Sequence, residues 1–461
     1  MRQNVCVSDA LMSKVKLFNF LFKLSSKITD HFPGKGGRFL DFLVINLLGN
    51  RFLNKYFDKR LQSGINKAKR FEKFLVVADL NIGDAVIAWN GIYALREIFP
   101  GSEIDYVVKK STRNIIKGCP EVNKIYPIYN SSPFPCEGDL HILKQIVKNG
   151  QYDFIINFSP MINNKIFGNK YVIDYSIMAT ELLNNEFNFE SVNNVTFQAY
   201  SFIRNVFRDY LPTNQSTDFR GSKIYLSNKA IVDAERFLIN QGLDLSSGKI
   251  MFNPDASSIF TRIPFNLQLQ LLKMLSELDC QILLGSGHVE KFIEQRLISA
   301  LTKSERQKVF IIPQDVDLDV YAALIDFSDV FITGDTGPLH LAAARKFLQE
   351  DLKSLRNQTA VFSVFGSTPP RIYGYDSQIQ GFFPANQDAP SKVFIAKNKC
   401  RNITCINKVA KTCAQVRCFQ DLNPDEIIYA AKGQIKHTEH EFYKLNRTLI
   451  LNENFYSKSI G

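Results

Sequence analysis

The stretch "FITGDTGPLHLAAARK" at residues 331–346 joins an apolar segment, a tight polar turn and a run of small helix-forming residues. A strand followed at once by a helix is typical of a βα unit. Asp335 or Thr336 can cap the helix, and Gly337 lets the backbone turn sharply. The same corner can instead hold a phosphate, because a helix N-terminus attracts anions and Thr336 and His340 add donors. The stretch predicts a βα unit and leaves both interpretations open.

The same alternation of strands and helices continues outward on both sides of this stretch. One series starts at "KFLVVADL" (73–80) and a second at "KIMFNPD" (249–255). A β-α-β rhythm predicts parallel sheets covered by helices. Ligands of such folds bind outside the carboxyl ends of the strands. We therefore predict an α/β protein with two doubly wound halves that form a central cleft.

At 461 residues the chain exceeds the usual length of one domain. Its longest apolar run, residues 39–53, is interrupted by polar and charged side chains and is too short to span a bilayer. No secretory signal is visible. We predict four parts, which are a helical extension at 1–70, a first doubly wound domain at 71–220, a second at 221–435 and a tail at 436–461.

The net charge of +11 is concentrated in residues 1–70, which hold 14 Lys or Arg and 4 Asp, whereas the rest of the chain holds 42 basic and 41 acidic residues. Apolar residues of this segment recur at helical spacing, with lysines roughly opposite. One interpretation is an ordinary helix packed on the first domain. The other is a helix on an anionic membrane surface. Nucleic acid is disfavoured because no binding motif accompanies the charge.

Three further loops follow predicted strands. "DLNIGDAVIA" (79–88) offers Asp84 either as a helix cap or as a carboxylate that takes a proton from a hydroxyl. "FNPDASSIFTRIPFN" (252–266) offers Ser257 and Arg262 as anion ligands. "LLGSGHVEKFIEQ" (283–295) lacks the third glycine of the dinucleotide pattern, because Glu290 stands in its place. The sequence also contains no P-loop.

Taken together, these stretches resemble glycosyltransferase family 9, whose best-known members are bacterial heptosyltransferases of lipopolysaccharide core assembly. The resemblance rests on "IGDAV" (82–86), "LREIFPGSEIDYVV" (95–108), "GCPEVNKIYPI" (118–128), "YDFIINF" (152–158), "GDTGPLHLAAA" (334–344) and "VFGSTPP" (364–370), in this order. A Cys-rich segment at 400–427 also looks like the late Cys segment of the family. The resemblance covers roughly residues 73–430.

The resemblance implies the GT-B architecture of two Rossmann-like domains, of which 71–220 binds the acceptor and 221–435 binds the nucleotide-sugar donor. It also implies an inverting reaction, no cofactor and no catalytic metal. It implies that Asp84 is the catalytic base. The residues it implies for donor binding are Ser257, Arg262, Glu290, Asp335, Thr336, Gly337 and His340, with the diphosphate at the 335–340 turn. The extra N-terminal segment and the charged insertion at 347–358 depart from the family pattern and leave the sugars open.

The predicted function is transfer of a sugar, heptose by resemblance, from a nucleotide-diphosphate donor such as ADP-heptose to a lipopolysaccharide core or related lipid-linked acceptor. This function implies a cytoplasmic enzyme, peripheral on the inner face of the bacterial inner membrane. The alternative is a non-catalytic saccharide- or nucleotide-binding assembly protein with the same fold. A nucleotide-dependent oxidoreductase is disfavoured by the failed glycine pattern.

Four clustered cysteines, Cys400, Cys405, Cys413 and Cys418, leave a further question open. Four thiolates suit zinc or iron, yet the first spacing is wider than in structural zinc sites. Reduced thiols packed in a loop are the other interpretation.

Overall fold

The computed structural model describes residue 65 and residues 71–78, 80–128, 137–159, 164–167, 171–174, 194–212, 219–256, 258, 261–285, 292–351, 359–379, 389–396 and 417–435. Within this part of the chain no helix is both long and apolar enough to cross a membrane.

The first half is built on a five-stranded parallel sheet with the order β3-β2-β1-β4-β5. Its central strand is buried along almost its whole length, as expected for a strand with helices on both faces. The strands are β1 Lys73–Ala78, β2 Glu103–Lys109, β3 Lys124–Ile128, β4 Phe154–Asn157 and β5 Tyr171–Asp174.

The second half is built on a six-stranded parallel sheet with the order β11-β10-β9-β6-β7-β8. Its strands are β6 Lys249–Asn253, β7 Gln281–Gly285, β8 Val309–Ile312, β9 Val330–Gly334, β10 Ala360–Phe365 and β11 Ser391–Ile395. In each sheet the strand order reverses beside the first strand, between β1 and β4 and between β6 and β9. A ligand crevice is expected at each such reversal.

The helices connect and cover the strands. They are α1 Ile82–Ile98, α2 Arg113–Ile116, α3 Glu137–Gly150, α4 Val195–Val206, α5 Asn228–Asn240, α6 Phe265–Ser276, α7 Ile293–Ser299, α8 Lys303–Arg306, α9 Leu318–Asp326, α10 Gly337–Asp351, α11 Pro370–Tyr373 and α12 Pro424–Lys432. Short 3-10 turns lie at Lys110–Thr112, Asn164–Phe167, Arg208–Tyr210 and Arg417–Phe419.

The predicted α/β class and the two parallel sheets are confirmed. The predicted stretches 73–80 and 249–255 are observed as β1 and β6, each of which ends two residues earlier than its stretch. The short edge strands β5 and β11 were not predicted, because each has only four or five residues.

The two halves share one hydrophobic core rather than packing separately. Val76 and Trp89 of the first half belong to the same buried cluster as Phe331 and Leu341 of the second. Helix α1 packs against both α4 and α10. The two halves are therefore in direct contact along α1.

Ser222 and Lys223, which follow the first half in the chain, also pack into this junction. The Ser222 hydroxyl donates to the carbonyl of Val86 at 3.2 Å, and the backbone N–H of Lys223 donates to the Tyr93 hydroxyl at 3.1 Å. Since both acceptors lie on α1, the chain is held where it passes from one half to the other.

Candidate active site

The turn between β1 and α1 presents Asp84. The helix begins at Ile82, and Asn81 is its N-cap residue, so the interpretation of Asp84 as the cap is wrong. Asp84 instead lies in the first turn and is exposed. The positive end of the helix stabilises the ionised carboxylate there. The structure therefore places an exposed carboxylate at the carboxyl edge of the first sheet.

The turn between β9 and α10 presents the residues predicted to meet a diphosphate. Thr336 directly precedes α10 and is half-buried, as is Gly337, the first helical residue. Asp335 is 8% exposed. Pro338 occupies the first helical turn, where its missing N–H costs no hydrogen bond. The remaining N–H groups and the helix dipole give this corner the character of an anion site.

These two turns touch each other. A Cβ added at Gly83 would lie 2.9 Å from Cδ2 of His340 and 3.1 Å from Cα of Gly337. A Cβ added at Gly337 would lie 3.1 Å from both the backbone N of Gly83 and Cβ of Ile82. Both positions need glycine because backbone meets backbone there. The contact brings Asp84 next to the predicted phosphate corner.

The side chain of His340 lies at the contact between the two turns. Its ring is 5% exposed, and Nδ1 lies 2.8 Å from the hydroxyl of Tyr375. Burial raises the pKa of Tyr375 well above its usual range. Thr196 of α4 forms a hydrogen bond with the same hydroxyl. The structure thus holds the imidazole between the two halves, and its predicted role as a phosphate donor stays a prediction.

A further hydrogen bond between the two halves lies next to Tyr375. The Asn194 side chain caps α4 and donates to the carbonyl of Gly374 at 2.9 Å. Tyr375 and Asn194 are residues that sequence reasoning missed. No local pattern distinguishes them, because their role depends on contacts about 180 residues away.

Arg262 is the described basic residue of the predicted donor set. Its Nε lies 2.8 Å from Oδ1 of Asp255, and Nη2 donates to the carbonyl of Ala256 at 3.1 Å. The ion pair lies within one loop, which crosses the end of β9. A Cβ at Gly334 would lie 2.6 Å from the Thr261 carbonyl oxygen, so glycine is required at this crossing. Arg262 is therefore preoriented beside the β9–α10 corner.

A buried polar network that was not predicted supports the carboxyl edge of the second sheet. The Asn253 amide donates to Thr333 Oγ1 at 2.9 Å, and its Oδ1 accepts from the Tyr321 hydroxyl at 3.2 Å. Burial raises the pKa of Tyr321 above its usual range, so the hydroxyl is protonated and donates. The network ties β6, β9 and α9 together. It fixes the edge from which the predicted donor loops extend.

Some predicted residues lie outside the described residues, namely Ser257, Glu290, Cys400, Cys405 and Cys413. Cys418 is described and is a buried free thiol. Within the described part, no group of three or more His, Cys, Asp or Glu side chains could hold a metal ion. The predicted charged insertion at 347–358 is described only up to residue 351, where α10 ends.

Several known proteins are similar to this chain in sequence. Residues 210–397 match the sequence profile described as glycosyltransferase family 9 (heptosyltransferase). A putative glycosyltransferase of Haemophilus influenzae is 26% identical over 284 residues, which cover 59% of this chain and 80% of that protein. Lipooligosaccharide heptosyltransferase 2 of Campylobacter jejuni is 22% identical over 369 residues, which cover 77% and 96%.

A solved structure shares the fold. The ADP-heptose lps heptosyltransferase II of E. coli superposes with a TM-score of 0.54 at 16% identity, covering 77% of this chain and 96% of that one. The predicted GT-B class and the predicted resemblance are confirmed by these matches.

Proposed function

Since the chain matches glycosyltransferase family 9 in sequence and heptosyltransferases in fold, we propose that it transfers heptose from a nucleotide-diphosphate donor to a saccharide acceptor, with inversion at the anomeric carbon. ADP-heptose is the proposed donor, because the E. coli protein of the same fold is named for it. A lipopolysaccharide core or related saccharide is the proposed acceptor. The observation that carries the proposal is the contact between Gly83 and Gly337.

The contact supports a displacement reaction, because it brings Asp84 close to the start of α10. The diphosphate would lie at the start of α10, with the Thr336 hydroxyl donating to it and Arg262 neutralising its charge. When the bond from the anomeric carbon to the diphosphate oxygen breaks, its electron pair stays on that oxygen. A helix N-terminus and a guanidinium stabilise such developing charge by preorganised dipoles. These groups can support departure of the diphosphate without a metal.

Asp84 would act on the acceptor, which is the second reactant. An acceptor hydroxyl attacks the anomeric carbon as the diphosphate leaves, and its proton passes to the Asp84 carboxylate. A single displacement of this kind inverts the anomeric configuration. The exposed position of Asp84 keeps the carboxylate accessible to an acceptor. A positioned base typically contributes about 10²–10⁴ in rate.

We also propose that residues 1–70 hold the enzyme on the inner face of the cytoplasmic membrane, where a lipid-linked acceptor is found. The support is their net charge of +10, from 14 Lys or Arg and 4 Asp. An anionic leaflet attracts each basic residue near it by ~1 kcal/mol.

Replacement of the proposed base tests the proposed function. Asp84→Asn removes the carboxylate but keeps the shape, so turnover of ADP-heptose with a heptose-deficient lipopolysaccharide acceptor should fall by ~10² or more. ADP affinity, measured by calorimetry, should stay unchanged. Nuclear magnetic resonance of the product should show the inverted anomer.

Asp209→Asn is the matched control, because it removes an exposed carboxylate near the opposite edge of the sheet. Normal turnover by the Asp84→Asn variant would show that Asp84 is not the catalytic base. Nucleotide binding by the native protein without any transfer would instead favour the non-catalytic binding protein.

A further inference from the structure

Gln268 is a fully buried glutamine in the first turn of α6, the helix that follows the loop of Arg262. Nε2 of its amide donates to the carbonyl of Pro254 at 2.9 Å and to the carbonyl of Ile263 at 2.6 Å. An amide nitrogen carries two donors, so each carbonyl receives one of them. The nitrogen of the amide must face these groups, because carbonyl oxygens only accept hydrogen bonds.

The two carbonyls lie at opposite ends of the β6–α6 loop, residues 254–264. Pro254 directly follows β6, and Ile263 lies two residues before α6. One side chain therefore fastens both ends of the loop to each other and to the first turn of α6. Ordering a loop costs conformational entropy, and a buried link between its ends limits the conformations that the loop can adopt.

The ion pair of the β6–α6 loop lies directly beside these two points of attachment. Asp255 follows Pro254 in the chain, and Arg262 precedes Ile263. Nε of Arg262 lies 2.8 Å from Oδ1 of Asp255. The loop is thus closed twice, once by the amide of Gln268 and once by the ion pair. A shift of either end would move one partner of that ion pair.

The same loop is seated on the strand that leads into the β9–α10 corner. A Cβ added at Gly334 would lie 2.6 Å from the carbonyl oxygen of Thr261, so backbone meets backbone at this crossing. Gly334 ends β9 and lies two residues before Thr336, and Thr261 directly precedes Arg262. The conformation of the loop therefore sets where Arg262 lies relative to the corner.

The packing of α6 does not by itself require a glutamine at position 268. Other side chains that the helix buries are the leucines Leu271, Leu272 and Leu275, and an apolar residue suits such a surface. A buried amide is costly unless it is hydrogen-bonded. Its Oε1 has no hydrogen-bond partner within the described residues. The two bonds to the loop therefore account for the polar group, and departures from local rules of this kind are expected at functional sites.

We propose that Gln268 is a positioning residue for the donor diphosphate. Its amide holds the β6–α6 loop in the conformation in which Arg262 meets the diphosphate at the β9–α10 corner. This inference rests on the proposed function, because it takes Arg262 as a ligand of the leaving group. Gln268 does not touch the donor and acts through Arg262, so its effect on diphosphate binding depends on the guanidinium being present.

Gln268→Met tests this inference, because it removes both donors and keeps the length of the side chain. The probe is inorganic pyrophosphate, and its affinity for the full-length protein is measured by isothermal titration calorimetry. We expect the affinity to fall about tenfold, the effect of losing a hydrogen bond to a charged group. Gln268→Asn shortens the side chain by one methylene and keeps an amide, so it is the milder variant for folding. It should lower the affinity in the same direction.

A double-mutant cycle separates positioning from a purely structural role. Arg262→Gln alone should lower pyrophosphate affinity at least as much as Gln268→Met does. When both changes are combined, Gln268→Met should cause no further loss of affinity, because the residue through which it acts is already absent. Its cost in stability, measured by denaturant unfolding, should persist in both backgrounds. Gln270→Met is the matched control, since it makes the same replacement at an exposed position of α6 and should leave the affinity unchanged.

Circular dichroism shows whether each variant is folded, and the cycle is run with Gln268→Asn if Gln268→Met does not fold. The inference would be overturned by native affinity in the Gln268 variant or in Arg262→Gln, or by an equal further loss in the Arg262→Gln background. A native protein that does not bind pyrophosphate would overturn it as well. Pyrophosphate binding that depends on both residues, in a native protein that transfers no heptose, would count against the proposed function alone.

Discussion

At the scale of single residues, the imidazole of His340 shows how the tertiary structure changes the interpretation of a sequence pattern. The pattern at 331–346 offers His340 as a donor at a helix start. In the structure its Nδ1 is held at 2.8 Å by Tyr375 and the ring is buried. Tyr375 therefore sets the orientation of the ring that faces Gly83. It acts on the candidate site through His340.

Tyr375→Phe should reveal that positioning role. The variant keeps the ring but removes the hydroxyl, which leaves His340 and Thr196 without a shared partner. We expect the free energy of unfolding to fall by ~1–3 kcal/mol, the usual cost of a buried polar group that loses its hydrogen bond. ADP affinity should fall severalfold if the ring contributes to donor binding. Denaturant unfolding and calorimetry measure the two effects.

The control for this variant is Tyr429→Phe, because Tyr429 is 83% exposed and should lose no stability. If Tyr375→Phe were as stable as Tyr429→Phe, the hydrogen bond to His340 would be energetically neutral. Loss of stability with unchanged ADP affinity would limit Tyr375 to a structural role.

At the scale of elements, the starts of α1 and α10 meet at two glycines, with the side chains of Ile82 and His340 beside the contact. Each helix begins with a glycine in or next to its first turn, and these two glycines pack on each other. Two helix N-termini at one point concentrate N–H groups and positive dipole ends there. The arrangement explains why an anion is the expected ligand of this corner. It also makes the corner sensitive to an added methyl group.

Gly83→Ala should disturb the corner. The new Cβ would lie 2.9 Å from Cδ2 of His340 and 3.1 Å from Cα of Gly337. Overpacking typically costs ~1–3 kcal/mol, whereas alanine gains at most about 1 kcal/mol of helix propensity over glycine. We expect a net loss of stability of ~1 kcal/mol and at least a tenfold loss of turnover. Denaturant unfolding and the transfer assay measure both.

Gly101→Ala is the matched control, since a Cβ at Gly101 would meet nothing within 4 Å. It should leave turnover unchanged. A Gly83→Ala variant with normal turnover would show that the contact between the two turns is not needed for the reaction.

At the scale of the whole molecule, the shared core links the N-terminal segment to the folded part. Ile65 is 1% exposed and belongs to the same buried cluster as Val76 and Phe331. Phe71 stacks on Phe99 with ring centroids 5.1 Å apart. Ile65 and Phe71 are therefore part of the folded core. A truncation that tests membrane binding should leave Ile65 in place.

Removal of residues 1–60, which hold 11 Lys or Arg and 4 Asp, should weaken binding to anionic vesicles while preserving the core. We expect the full-length protein to bind phosphatidylglycerol vesicles at low salt and the truncated protein to bind much less. The difference should fade at 1 M salt, where the Debye length is ~3 Å. Vesicle sedimentation measures the binding.

Neutral phosphatidylcholine vesicles provide the control for charge. Equal binding of both proteins to anionic vesicles would show that residues 1–60 are not the membrane anchor. Unfolding of the truncated protein, seen by circular dichroism, would assign the segment to the core instead.

The sequence by itself determined the α/β class and the positions of the central strands, and it predicted the edge at which a ligand would bind. These features follow from local patterns, because a buried parallel strand is continuously apolar and the carboxyl ends of parallel strands share one edge. Asp84 and Thr336 could be chosen as candidate site residues because each follows the carboxyl end of a predicted strand. The short edge strands β5 and β11 could not be predicted, since a segment of a few residues carries too little periodic signal.

Only the tertiary structure decided how these parts meet. Gly83 and Gly337 are separated by 254 residues in the chain, and nothing in either turn specifies the other. The bond between His340 and Tyr375 and the inclusion of Ile65 in the shared core likewise join parts of the chain that are distant in sequence. Each depends on how two sheets pack around α1. Close packing is set jointly by many side chains, so no single stretch of sequence encodes it.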